Sequence, residues 1–456
     1  MAHCACDDFS RTNLLRRMAG RALPGREPGA PTPAGSGLDR RQFLVRGAGL
    51  VVSVYCATRL DISALHEGVA AAAAGPSSPV LVSVFLPGGV DSLSLLAPVG
   101  DPRYRELRPK LALAESDGTA FTEDPRLHWH PSAAALSTLH AEGKLTVMPA
   151  IGYDHPDQSH FNSRHFWEVG ALDRRLVTGW LGRLIDRVGQ PDNPLQGLSL
   201  DGELSPALAT ARMPVSAVHG PGDYDFWAPG VWGDVEKWML EAMPAIGSVH
   251  AGARDAGMRQ AAQIAVQAAK LRQQLQPFAG QDIASPVAYP AEADSDFGRR
   301  LGALAAMLGA GLPIRCVSLT APGDYDTHDN QPEDLAQGLK TTSEALLAFQ
   351  RDLEARGLAD RVLVQVWSEF GRRGEENGSE GTDHGAAGAG FLMGTRARGQ
   401  MVGEFPGLAE LDDSGNLRAT ADFRQIYCGL LEQWFGVDAA AVVPDAARFS
   451  RPALLK

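Results

Sequence analysis

The chain has 456 residues, of which 44% are hydrophobic and 21% charged, and its formal net charge is −12. That length and apolar content suffice for one large α/β domain behind a leader. The acidic balance argues against a nucleic-acid backbone as partner and offers no basic surface to anionic lipid.

The first 74 residues read as a targeting segment rather than as part of the fold. They hold nine Arg and no Lys, and Asp39-Arg40-Arg41-Gln42-Phe43-Leu44 precedes the weakly apolar run 47–58. That run is shorter than the roughly 20 residues that span a bilayer. The pattern is that of a twin-arginine export signal, with Ala70 to Ala74 offering a cleavage site. The expected partner is the twin-arginine export machinery and the expected location is secreted or in the cell envelope, with no stable transmembrane segment. An uncleaved interfacial anchor is the alternative. Cys4, Cys6 and Cys56 fall in this leader, and Cys316 and Cys428 sit in apolar runs without any C-x-x-C pair. A zinc ion would therefore have to be held by His and carboxylate.

Residues 79–86 (PVLVSVFL) form a β-branched apolar run of strand length that delivers Asp91 just past its carboxyl end. Ligands of open α/β sheets gather there, and capping of the next helix is an equally good use of Asp91. A helix over 131–142 and a strand over 145–151 follow, and the chain then opens into GYDHPDQSHFNSRHFWEVG. Ser159 stands at the start of a helix over 160–169, where backbone N–H groups favour an oxyanion. It is the candidate nucleophile, or else an N-cap. His155, His160 and His165 add proton donors or phosphate contacts.

The middle, about 172–290, is expected to be an insertion or cap beside the sheet, with a short strand over 198–200 and an amphipathic helix over 257–275. The loop 220–225, with Trp227 and Trp232, is a candidate substrate entrance. Regular alternation returns with a helix over 297–308, strand over 314–319, helix over 335–356, strand over 362–367, a further strand at 391–394 and a closing helix over 420–435. Repeated αβ units predict a largely parallel sheet covered on both faces. Asp324 and His328 follow the first of these strands, Glu369 the second, and Asp383-His384 lie in a Gly-rich loop. Carboxylates and imidazoles at successive strand ends are the residue types that a metal site needs. Gly88-Gly89 lacks the G-x-G-x-x-G continuation, so no nicotinamide cofactor is expected.

Leu86-Pro-Gly-Gly-Val-Asp91, Ser159-His160-Phe161, Thr178-Gly-Trp-Leu-Gly-Arg183, His328-Asp-Asn-Gln331, Ser368-Glu-Phe-Gly-Arg372, Gly381-Thr-Asp-His-Gly385 and Asp422-Phe-Arg424 together resemble the twin-arginine-exported family of unknown function DUF1501. The resemblance runs over residues 75–456 and implies an alkaline-phosphatase-like or sulfatase-like α/β sandwich with a helical insertion. It also implies one or two divalent ions (Zn, Mn or Mg). One would take Asp324, His328 and His384, and the other Asp91, Ser159 and Glu369, with Asp383 as a further ligand where Phe370 replaces the usual His. His160, Arg164 and Arg372 are the expected substrate contacts, although Arg372 could instead be the ion-pair partner of Glu369. The function so implied is hydrolysis of a phosphate or sulfate ester, on a small molecule or glycan, through Ser159. A phosphoryl-group transferase and a non-catalytic envelope- or carbohydrate-binding protein are the alternatives. No C/S-x-P-S/A-R segment is present, which argues against a formylglycine-type sulfatase.

Overall fold

The structure, a computed structural model, describes residues 78–220, 234–278, 284–290 and 295–456. The leader, Trp227, Trp232 and all of the 220–225 loop but Gly220 lie outside them. The chain starts with β1 (Val80–Phe85), the four-residue helix α1 (Ser92–Leu95), β2 (Leu96–Ala97), α2 (Pro102–Leu107), β3 (Thr119–Ala120), β4 (His128–Trp129), α3 (Ala134–Ala141) and β5 (Leu145–Gly152). There follow α4 (His160–Val169), α5 (Trp180–Val188), β6 (Gly197–Ser199), β7 (Ser216–Ala217), α6 (Asp234–His250), α7 (Ala256–Leu275) and α8 (Phe297–Gly309). The last third holds β8 (Cys316–Thr320), α9 (Gln331–Ala355), β9 (Val362–Trp367), β10 (Arg372–Glu376), β11 (Thr382–His384), β12 (Gly388–Met393), β13 (Ala421–Asp422) and α10 (Phe423–Gly429).

Among the described residues, eight strands form the central sheet in the order β13-β5-β12-β9-β1-β8-β6-β7. Only β12 runs against the others, pairing antiparallel with both β5 and β9. All six residues of β1 are buried, because the strand is covered on both faces. Val80, Val82 and Val84 join a core with Leu139, Leu304 and Phe349 from α3, α8 and α9. Leu81 and Phe85 join the opposite core with Trp167, Leu184 and Tyr427 from α4, α5 and α10. This period of two, with an apolar residue at nearly every position, is what makes the strand a central one.

The expected mixed α/β architecture with a largely parallel sheet is thus the one observed. Two details differ. The middle segment supplies not only the helical pair α6 and α7 but also β6 and β7, which extend the central sheet at one edge. Helix α6 was not foreseen, since Pro244 and Gly247 interrupt its pattern. The closing helix is shorter than expected, α10 giving way to a π-helical turn at Leu430–Trp434. Among the described residues no helix is long and apolar enough to cross a membrane.

Candidate metal centre

The carboxyl ends of β9, β1 and β8 lie side by side, with that of β5 on the same edge of the sheet beyond the antiparallel β12, so the loops leaving them converge. After β1 the chain turns at Gly88 and Gly89, with φ of +113° and +77°. A side chain is excluded at both: a Cβ on Gly88 would overlap the Asp326 amide and one on Gly89 the Phe370 ring. The turn aims two backbone N–H groups at the carboxylate of Glu369, Gly88 at 3.0 Å and Gly89 at 3.2 Å. Glu369, 2% exposed, also accepts from His160 Nδ1 at 2.7 Å. Burial raises the Glu369 pKa, but the His160 hydrogen bond and the Gly88 amide outweigh it and hold the carboxylate below its ordinary range.

With Nδ1 held by Glu369, His160 turns Nε2 towards Asp326 and His384. Its Nε2 stands 3.4 Å from Asp326 Oδ2 and 3.1 Å from His384 Nε2. His328 Nε2 is 3.0 Å from His384 Nε2 and 3.2 Å from Asp326 Oδ1. The other ring nitrogens point outward to acceptors. His384 Nδ1 donates to the Gln158 carbonyl at 3.0 Å, and His328 Nδ1 faces Asp383 at 3.3 Å. These partners assign the proton of each neutral ring to Nδ1, leaving three Nε2 lone pairs beside a carboxylate.

Three lone pairs at such distances repel one another unless a cation or shared protons lie among them. Ligand atoms about 2.0–2.2 Å from a tetrahedral ion stand about 3.3–3.6 Å from one another, close to the separations found here. His160, Asp326 and His384 each offer a ligand atom, all within 4.8 Å of one another, and His328 adjoins two of them. Outward Nδ1 donors on carboxylates and a carbonyl are the usual second layer of such sites. The residues present therefore fit one divalent ion with nitrogen-rich ligation, the donor set of zinc or manganese rather than magnesium.

Several expected roles are corrected by this geometry. Asp324 is exposed, and its Oδ1 accepts from the Asp326 amide at 3.0 Å in a local turn, so Asp326 takes the place expected of it. His160, expected on the substrate, joins the ligand cluster. Asp383 stands behind His328, and Glu369 behind His160, each on Nδ1. Arg372 is fully buried and donates to the carbonyls of Gly88, Gly89, Tyr325 and Thr382 and to Asp326 Oδ1 at 2.7 Å. It is tied to Asp326 rather than to Glu369, and its burial keeps it from the surface. Phe370 packs its ring against those of His160 and His384, at 4.9 and 4.8 Å between centroids.

Asp91 is also removed from the cluster. Its carboxylate is 0% exposed and receives Arg108, with Nη1 at 2.5 Å and Nη2 at 2.9 Å, while capping α1 through the Leu93 amide. Ser159 occupies the N-cap of α4 between Gln158 and His160, both bonded into the cluster; its amide donates to Asp157 Oδ1 at 3.0 Å and its side chain makes no capping bond. Arg164, one turn beyond His160, lies over the Phe85 ring and is paired through Nε with Glu168 at 2.8 Å. Arg108 went unforeseen, and nothing in the run LRPK marks it as a core residue.

No curated protein matches the chain in sequence. Similar solved structures include the lipoteichoic acid synthase LtaP of Listeria monocytogenes, at 8% identity and a TM-score of 0.35, covering 81% of this chain and 75% of that one. A protein of the alkaline phosphatase superfamily from Vibrio parahaemolyticus gives 10% identity and 0.35, covering 92% and 79%. The PsFucS1 sulfatase of a Pseudoalteromonas species gives 10% and 0.32, covering 90% and 77%. Likeness at this level bears on neither substrate nor ligand set. Residues 241–445 match the model of a family described as protein of unknown function, DUF1501.

Proposed function

We propose that the chain is a metal-dependent hydrolase or group transferase acting on an anionic ester of the phosphate or sulfate type, on a small molecule or glycan. The observation that carries this reading is the convergence of His160, His328 and His384 Nε2 with Asp326 on one point, each Nδ1 held from behind. Those four residues would hold the ion. Bound there, a divalent ion supplies Lewis-acid polarisation of an ester oxygen and neutralises charge on the transferred group.

The surrounding residues are suited to such a substrate. Ser159 stands at the N-terminus of the ten-residue α4, where the helix dipole favours negative charge at its hydroxyl oxygen. Attack by that oxygen on the phosphorus or sulfur, with loss of the hydroxyl proton, forms a covalent ester to the enzyme as the bond to the departing alcohol breaks and that alcohol takes up a proton; water or another acceptor then displaces the Ser159 oxygen. Arg164 lies one helical turn from His160, on the same face of α4. Nε is spent on Glu168, and the charge that Glu168 sustains serves an anionic group. Export by the twin-arginine route, read from Arg40-Arg41, belongs to the same proposal and places the ester outside the cytoplasm.

The test is elemental analysis of the purified chain together with turnover of a panel of phosphate and sulfate esters. Stoichiometric metal, metal-dependent turnover and its loss in Ser159→Ala are expected. A folded chain that takes up no Zn, Mn, Mg or Ca would refute the reading. Metal without turnover, beside tight glycan binding, would assign a binding protein instead.

A further inference from the structure

A second ion held by Asp91, Ser159 and Glu369 does not fit the residues present. Both Glu369 oxygens are taken by the Gly88 and Gly89 amides, Ser368 Oγ and His160 Nδ1. Both Asp91 oxygens are taken as well, and the group that takes them is itself a cation. Arg108 is fully buried, and all its bonds go to oxygen: Asp91 Oδ1 and Oδ2, Ser94 Oγ at 3.2 Å, the Arg373 carbonyl at 2.8 Å and the Gly374 carbonyl at 2.9 Å. One carboxylate, one hydroxyl and two carbonyls are a hard-cation donor set. A guanidinium with five N–H groups saturates it.

We infer that Arg108 is a built-in cation that occupies an all-oxygen cage at the end of β1, so that the centre at His160, Asp326, His328 and His384 holds a single metal ion. The inference rests on the metal centre proposed above. The cage is also linked to that centre. Gln331 Nε2 donates to Asp91 Oδ2 at 2.7 Å, and its Oε1 accepts from Thr327 Oγ1 at 3.0 Å and Thr382 Oγ1 at 2.6 Å. Thr327 lies between Asp326 and His328, and Thr382 is two residues before His384. The fixed charge of Arg108 thereby holds both ligand-bearing loops in register without depending on a second ion.

The experiment is metal stoichiometry of the wild-type chain and of Arg108→Ala, each first saturated with zinc and then titrated with Mn²⁺ followed by electron paramagnetic resonance. The expected result is one zinc in both chains and one tightly held Mn²⁺ in Arg108→Ala alone. Asp91→Asn gives a second readout should Arg108→Ala not fold. It is expected to keep one ion per chain and an unchanged visible absorption spectrum when cobalt replaces zinc. Two ions in the wild type with one lost in Asp91→Asn would overturn the inference, as would a folded Arg108→Ala that gains no Mn²⁺. A wild-type chain without zinc would defeat the metal centre itself, and Mn²⁺ uptake by Arg108→Ala would then decide the cage alone.

Discussion

Glu369 holds His160 by its Nδ1 at 2.7 Å, and so decides which nitrogen of that imidazole faces Asp326 and His384. The pair joins the end of β9 to the start of α4 across 209 residues of sequence. Replacing Glu369 by Gln keeps the shape but loses the charge that makes His160 a better ligand. Outer-layer changes of this kind weaken metal binding by about 10–100-fold. Competition against a chelator measures this, and an unchanged affinity in Glu369→Gln would show that the pair only stabilises the fold.

Neighbouring carboxylates should separate cleanly by substitution. Asp326→Ala removes a carboxylate that faces three imidazoles and also unpairs the buried Arg372. Loss of metal and a lowered melting temperature are both expected. Asp324→Ala removes an exposed side chain bonded to one amide, and full metal content is expected to remain. Elemental analysis of the two variants checks the assignment; metal lost from Asp324→Ala would restore the D-x-x-x-H reading.

The contrast between Asp324 and Asp326 shows how far the sequence could be read. Strands β1, β5, β8 and β9 announce themselves by β-branched apolar runs, so the loops that carry the site could be located. His328 and Glu369 were singled out because they follow two of those strands, and His384 because it stands beside Asp383 in a Gly-rich loop. Within GDYDTHD two aspartates compete for one role, and the turn that spends Asp324 on its own backbone is a matter of local geometry. His160 and Glu369 exchange a hydrogen bond that no local pattern encodes. The Gly88-Gly89 pair was legible as a turn, while its use as a cradle for Glu369 needed β9 beside β1.

That cradle yields a third prediction. Gly88→Ala must accept φ near +113° and a Cβ against the Asp326 backbone. The strained backbone alone costs on the order of 1–3 kcal/mol. Displacing Asp326 is expected to lower metal affinity as well as melting temperature. Gly378→Ala is a control, because its Cβ meets nothing within 4 Å. Equal behaviour of the two variants, read by thermal melts with and without zinc, would remove the claim that Gly88 sets the ligand loop.

The Asp91–Arg108 pair makes the acid side of the stability curve testable. Burial raises the Asp91 pKa, but the Arg108 charge and hydrogen bond outweigh it and set it below the ordinary 3.8. A carboxyl depressed in the folded state stabilises fully above its unfolded pKa and loses that contribution as pH falls through the folded value. Metal-free wild type should therefore lose stability below about pH 4, and Asp91→Asn should lose less over the same interval, since it has no proton to take up there. At pH 7 the variant is expected to be weaker by about 3–5 kcal/mol, because Arg108 is left buried without its counter-charge. Urea unfolding of both chains between pH 2 and pH 7 measures the difference. Parallel curves below pH 4 would mean that the Asp91 carboxylate is not depressed, and that Arg108 does not hold it as an ion pair.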